Sequence, residues 1–420
     1  MPFIKAPVDV GHNIRRPLAR YIHTDEGYVP VKLRRDEGEP VDECVKRILV
    51  LADLNVTNKF WGGVDDPSEH PVWNFVSPYE DEFETFYKGR FECPTQYEDY
   101  NCTVELTFAS NYTRQMMDKD AVVFNTVPET LFRNSDDLFN YYHMQMEQNQ
   151  LWLFYSLETP VWNHKGLNKK NIPNLPVHEV WSYNSDSKMY NPQSYYNYNP
   201  RSDTSKRKRW NDLRKLKRKK RLVMWMGSNC NRTHWPRMDF VHELQRHVQL
   251  DTYGACGNYT CSRNSAECRN LISSYKFYLS VENAECDDYI TEKVWLNALQ
   301  RGVVPIVYGA RKKDYQKFLP PHSFIYAGDF KTVEMLGKYL QKLDQRPALY
   351  YRYFRWKGSI TGSVAFKRKD FCNALPLIDQ VQNGDLEKRP LYTFPWFNTC
   401  RINPANYTEL VTFEDWKPWL

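Results

Sequence analysis

The second half of the chain alternates short apolar runs with amphipathic stretches: Leu222–Met226, Arg237–Val248, Lys276–Val281, Tyr289–Arg301 and Val303–Tyr308. Apolar runs of strand length suit strands buried on both faces, whereas the longer stretches between them carry apolar residues at helical spacing. An apolar run, a helix and a second apolar run make a βαβ unit, and the right-handed crossover restricts the product to a parallel sheet under covering helices. In the Tyr289–Arg301 stretch, Ile290, Val294 and Ala298 fall at i, i+4 and i+8. Asp287 or Asp288 is the expected N-cap of that helix and Gly302 its stop. Further helices are expected at Thr332–Asp344 and Ala348–Trp356, covering the same sheet.

The first half carries a weaker version of this rhythm. Strands are expected at Arg47–Ala52, Thr103–Phe108, Ala121–Asn125 and Leu151–Ser156. Because 420 residues exceed the usual single-domain size, the expected fold is α/β, with two Rossmann-like domains facing a cleft. The partition drawn from the pattern is a stem or flexible N-terminus over residues 1–42 and a first α/β domain over 43–200. A basic linker over 201–221, a ligand-binding α/β domain over 222–390 and a C-terminal tail over 391–420 follow. Tyr183–Pro200, rich in Tyr, Asn, Pro and Ser, reads as an irregular connection.

Ten cysteines form no Cys-x-x-Cys pair, which argues for disulfides over a zinc site. Cys230, Cys256, Cys261, Cys268 and Cys286 crowd one region, and their connectivity is open. Asn-x-Ser/Thr sequons begin at Asn55, Asn101, Asn111, Asn231, Asn258 and Asn406, and with the cysteines they favour an oxidising secretory lumen. Met1–Arg20 lacks the apolar core of a signal peptide, and no apolar run reaches the ~20 residues of a membrane span. The net charge of +6 is concentrated in Lys206–Arg221. That run looks like a bipartite nuclear signal or a nucleic-acid patch, but without interleaved aromatics or a nucleic-acid motif it reads as a solvated linker, and no specific nucleic-acid partner is expected.

Three polar clusters follow strands at the end where α/β proteins bind ligands: Glu158, then Ser228 with Asn229, then Glu282 with Asn283. The last leads into Glu292 and Lys293 in the first turn of the expected Tyr289 helix. A lysine there makes sense if an anion such as a diphosphate shares the site. The bland alternative is a solvated Glu-Lys pair.

Lys276-Phe-Tyr-Leu-Ser-Val-Glu-Asn283, Asp288-Tyr-Ile-Thr-Glu-Lys-Val-Trp295 and Gly302-Val-Val-Pro-Ile-Val-Tyr-Gly309, in this order and spacing, resemble the signature of the α1,3-fucosyltransferase family. Trp225-Met-Gly-Ser-Asn-Cys230, Arg237 at a helix start, Tyr253-Gly-Ala-Cys256 and Glu158-Thr-Pro160 extend the resemblance over roughly Arg47 to Cys372. It implies the two-domain GT-B architecture, with GDP-fucose as donor on the second domain and a glycan or glycoprotein acceptor on the first. It places Arg237 and Lys293 at the diphosphate, with Tyr278, Ser228, Asn229, Asn283, Tyr289 and Glu292 around the nucleotide or fucose. Two fixed cations can offset charge on departing GDP, so no cofactor is obligatory, and Mn2+ or Mg2+ enters only as a nonessential stimulant. No metal site is expected. Glu158 matches the family's base, with Thr159 where the family has Ser. Ser182-Tyr-Asn-Ser-Asp-Ser-Lys188 departs more, since Lys188 replaces a family acid.

The resemblance further implies an inverting transfer to a glycan hydroxyl, with the 3-OH of N-acetylglucosamine, in an N-glycan core or N-acetyllactosamine, as the expected acceptor. It also implies a Golgi-lumenal enzyme whose membrane anchor lies outside this sequence. Two alternatives stand beside it: a catalytically silent glycan-binding protein on the same scaffold, and a protein O-fucosyltransferase.

Overall fold

Leu151–Ser156 is buried at all six positions, so both faces of this strand must be covered. In the computed structural model it lies between Ala121–Asn125 and Glu179–Ser182 and runs parallel to both. The described residues are 21–24, 27–30, 44–51, 89–93, 100, 102–109, 119–125, 149–163, 175–192, 195–198, 219–231, 233–262, 265–358, 360–364 and 368–401. The sequons at Asn55, Asn101, Asn111 and Asn406, and the basic run from Lys206 to Arg218, lie outside them.

The first sheet has seven strands in the order Met189–Tyr190, Glu179–Ser182, Leu151–Ser156, Ala121–Asn125, Cys44–Leu51, Cys102–Ala109, Gly89–Glu92, and the final pairing alone is antiparallel. Strand alternation sends Ile48, Val50, Val123 and Leu153 to one face and Leu49, Leu51, Val122 and Phe154 to the other. The second sheet has five strands, all parallel, ordered Leu250–Tyr253, Arg221–Met226, Tyr275–Val281, Val304–Tyr308, Ile325–Tyr326. Helices Arg237–His247 and Val333–Gln345 pack on one face through Phe240, Leu244, Leu336 and Leu340. Ala266–Ser273 contributes Cys268 and Ile272 to the other face.

Two parallel α/β sheets are thus present as expected, but several local readings change. The Tyr289–Arg301 helix is shorter: a single turn, Glu292–Val294, continues as a π-helix over Trp295–Leu299. Thr291, not Asp287 or Asp288, is its cap. Asp288 has φ of +62° and its carboxylate is engaged by Ser185. Within the Tyr183–Pro200 connection, read as irregular, Tyr195–Tyr198 forms a strand that pairs antiparallel with Ile360–Val364. At the end of the basic run, Lys219 is buried and donates to the carbonyls of Ser273 and Tyr275. Burial, with Lys357 nearby, lowers its pKa to about 7.

The C-terminal third also departs from the expected partition. Phe371, Leu375, Ile378 and Val381, drawn above with the second domain, pack beneath the first sheet. Leu391, Phe394 and Trp396, drawn as a tail, fill that sheet's other face beside Ala284, Cys286 and Tyr289. The chain therefore returns to its first domain after building the second. All ten cysteines pair, as Cys44–Cys102, Cys93–Cys372, Cys230–Cys256, Cys261–Cys268 and Cys286–Cys400. The second and last of these tie the returning segment to both parts of the molecule.

Candidate active site

Each of the three strand-end clusters lies just beyond the carboxyl end of a parallel strand. After Tyr275–Val281, Glu282 is wholly enclosed. An ionised carboxylate in such a place must be paired and hydrogen-bonded. Lys293 Nζ stands 2.8 Å from its Oε2, Thr291 N donates to Oε1 at 3.0 Å, and Thr291 Oγ1 lies 2.8 and 2.9 Å from the two oxygens. Trp235 Nε1 donates to the Glu282 carbonyl at 2.8 Å. Gly309 has φ of +133°, and a Cβ there would come within 2.7 Å of the Glu282 Cβ. The glycine that ends the Val304–Tyr308 strand thus makes room for this carboxylate.

Lys293 also touches Thr291 Oγ1 at 2.9 Å and Glu292 Oε1 at 3.4 Å. Burial alone would favour its neutral amine, but Glu282 and Glu292 reverse this and hold the ammonium above the ordinary lysine pKa. Arg237, the first residue of its helix, is buried and donates from Nη2 to the Asn229 carbonyl at 2.5 Å. Its guanidinium lies 5.8 Å from the centre of the Trp225 ring. Burial lowers its pKa, opposed chiefly by Glu282, Tyr289 and Glu292. Arg237 Nε and Asn283 Oδ1 are enclosed with no hydrogen-bond partner among the described residues. Among the described residues, one buried donor and one buried acceptor near the site are thus left unsatisfied.

Glu158 faces this group from the first sheet. Ser156 Oγ accepts from its N–H at 3.0 Å, and its carboxylate accepts from the Tyr289 hydroxyl at 2.7 Å. Burial pushes the Glu158 carboxyl up to about 6 against the restraining effect of the Tyr289 bond and of Lys293, with Glu292 and Glu282 adding to the rise. Lys293 and a carboxylate of raised pKa therefore share one field, and Arg237 shares the acids Glu282 and Glu292 with Lys293.

Of the residues expected from sequence, Arg237, Glu292, Lys293, Tyr289 and Glu158 come together. Tyr289, expected at the donor, is bonded to Glu158. Tyr278 is buried within its strand and accepts from Asn297 Nδ2 at 3.1 Å. Ser228 lies exposed in the turn that carries Asn229, a turn held by the Cys230–Cys256 bridge and by the Cys256 N–H donating to Gly227 O at 3.0 Å. Glu282, read from sequence only as part of a strand-end cluster, is the anchor of the site. Its signal was the threonine before Glu292-Lys293, a capping residue whose hydroxyl serves the buried acid as well as the helix.

Residues 216–388 match the model of the glycosyltransferase family 10 (fucosyltransferase) C-terminal domain. Over that segment the chain is similar to glycosyltransferase family 10. A Drosophila melanogaster glycoprotein 3-alpha-L-fucosyltransferase A is 39% identical over 212 residues, which are 50% of this chain and 40% of that protein. A human 4-galactosyl-N-acetylglucosaminide 3-alpha-L-fucosyltransferase is 35% identical over 229 residues, 54% of this chain and 59% of that protein. The chain thus spans about half the length of the curated relatives it matches. The crystal structure of an alpha1,3-fucosyltransferase aligns over 88% of this chain and 96% of its own, with 16% identity and a TM-score of 0.47. The family 10 match covers Arg237, Glu282, Glu292 and Lys293, whereas Glu158 lies before it.

Proposed function

We infer that this chain is the catalytic part of an inverting, family 10-type fucosyltransferase that moves fucose from GDP-fucose to a glycan hydroxyl in α1,3 linkage. The observation that carries the reading is a carboxylate of raised pKa, Glu158, bonded to the Tyr289 hydroxyl and within the electrostatic reach of Lys293, with Arg237 in the field of the same Tyr289. Arg237 and Lys293 bind the diphosphate and offset the charge that GDP gains as its bond to fucose breaks. Glu158 takes the proton of the acceptor hydroxyl as the new bond forms on the opposite face of the sugar. Arg237 Nε and Asn283 Oδ1 are ready for donor atoms. Ser228, Asn229, Tyr278 and Glu292 complete the donor side.

The 3-OH of N-acetylglucosamine, in an N-glycan core or N-acetyllactosamine, is the proposed acceptor, in keeping with the names of the relatives. Five disulfides support an oxidising compartment, and the Golgi lumen is the proposed address. No helix among the described residues is long and apolar enough to cross a membrane. The test is GDP release from GDP-fucose with an acceptor array, followed by linkage analysis of the product. Release of GDP that depends on a glycan, with an α1,3 product, supports the reading; donor binding without turnover on any acceptor overturns it.

A further inference from the structure

We propose that Asp288 is a positioning residue that locks the strap Cys286–Tyr289 of the donor domain onto the Asn184–Ser185 turn of the acceptor-side domain, and thereby holds the Tyr289 hydroxyl on Glu158. The inference rests on Glu158 being the base of the proposed transfer.

Asp288 Oδ2 accepts three bonds from one turn of the first domain: Ser185 Oγ at 2.7 Å, Ser185 N at 2.9 Å and Asn184 Nδ2 at 3.4 Å. Ser185 Oγ accepts in turn from Lys317 Nζ at 2.7 Å, which returns the network to the second domain. Asp288 N donates to Asp314 Oδ2 at 3.2 Å, and its φ of +62° is a conformation that a non-glycine residue holds only where its surroundings fix it. The next residue is Tyr289, bonded to Glu158 and packed on the Tyr183 ring with centroids 5.0 Å apart. Tyr183 stands immediately before the Asn184–Ser185 turn. The turn thus grips the strap on both sides of the Asp288–Tyr289 peptide, once by hydrogen bonds and once by ring packing.

The consequence is chemical as well as mechanical. A hydroxyl donated to a carboxylate favours its ionised form, so Tyr289 opposes the effect of burial on Glu158. Lys293, Glu292, Glu282 and Tyr183 also act on Glu158, and all four remain when Asp288 is changed. Losing the Asp288 anchor therefore alters the base through Tyr289, and the base is set only when the two domains are in register.

The test is a double-mutant cycle on the full chain with Asp288→Ala, Tyr289→Phe and the double variant. The conservative Asp288→Asn, which tolerates the left-handed backbone and retains an acceptor oxygen, is the rescue arm. Each single variant is expected to lower kcat by up to about a hundredfold, with GDP affinity within about twofold of the parent. Both move the acid limb of the kcat profile to higher pH, the double variant is no worse than the poorer single, and Asp288→Asn recovers most of the loss. Independent, multiplying losses, or an Asp288→Ala limb that stays where the parent has it, overturn the proposal. Titration of the Glu158 carboxyl by 13C NMR in the same variants needs no turnover. If the parent transfers nothing, the functional reading fails, while an upward shift of that titration in both single variants still upholds the coupling and an unmoved one ends it.

Discussion

Lys293 Nζ lies 2.8 Å from Glu282 Oε2, and the Glu282 side chain has no solvent exposure. Removing one partner of a buried pair leaves the other uncompensated, at about 3–5 kcal/mol. Lys293 keeps some exposure and a second acid in Glu292, so Glu282→Ala is expected near the lower end, about 3 kcal/mol by urea unfolding. Glu282→Gln retains a side chain that Thr291 can bond and loses less. In both variants Lys293 loses its ion pair with Glu282 and is held only by Thr291 and Glu292, so GDP titration should show weaker binding even where the protein is folded.

A base must be ionised to accept a proton. With its carboxyl pushed up to about 6 by burial, Glu158 is charged above that pH and neutral below it. The profile of log kcat against pH should therefore rise with unit slope in acid and level off near pH 6. Glu158→Gln should abolish that limb and lower kcat by roughly 10²–10⁴. A variant that retained the limb would assign it to another group.

The parts of the fold legible in the sequence were those whose signal is local. Ala121–Asn125 and Leu151–Ser156 appear where the apolar runs place them, because a strand buried on both faces has little freedom to be anything else. Leu250–Tyr253 was missed: an edge strand of four residues with Asp251 in it carries no such run. The helix expected from Tyr289 was extended too far by the spacing of Ile290, Val294 and Ala298. Ile290 is buried, but in the strap before the Thr291 cap. Leu375–Gln382 shows apolar residues at Leu377, Ile378 and Val381, yet the pattern says only that they are buried. It does not say that the partner is a sheet built from residues 44 to 190, far earlier in the chain.

The site followed the same rule. Glu158, Asn229 and Glu282 could be placed at strand ends from sequence, since chain direction in a parallel sheet dictates where those ends lie, while Arg237 and Lys293 were read at helix starts. The enclosure of Glu282 and the bond from Tyr289 to Glu158 join residues through the fold, the second across two domains, and no spacing in the chain encodes them.

Arg237 is buried, holds the Asn229 carbonyl with Nη2 and leaves Nε without a partner among the described residues. A lysine could supply the charge but not two donors in fixed geometry. Arg237→Lys is therefore expected to cost kcat about 10²–10³, the range for loss of a donor that stabilises developing charge. Donor KM should change less if the guanidinium acts mainly as GDP departs. Steady-state kinetics with GDP-fucose varied at saturating acceptor separates the two. A rise in KM at constant kcat would make Arg237 a ground-state binding residue only.

Cys286 and Cys400 are separated by 114 positions in sequence, and a cross-link closing a loop of that length removes much denatured-state entropy. Substituting both with Ala is expected to cost about 2–5 kcal/mol of stability. The bridge is not the only tie between these segments. Arg401 N donates to the Glu285 carbonyl at 2.9 Å, Arg401 Nη1 pairs with Glu285 Oε1 at 2.6 Å, and Asp287 N donates to Thr399 O at 3.0 Å. Trp396 on the same segment donates from Nε1 to the Glu158 carbonyl at 3.3 Å. These contacts hold the strap in place while the protein remains folded, so kcat well below the melting temperature should stay within about twofold of the parent as the melting temperature falls. Thermal melts and kcat on one preparation decide the point. A large loss of kcat at low temperature would show that the covalent bridge itself, beyond its effect on the unfolded chain, aligns Tyr289 with Glu158.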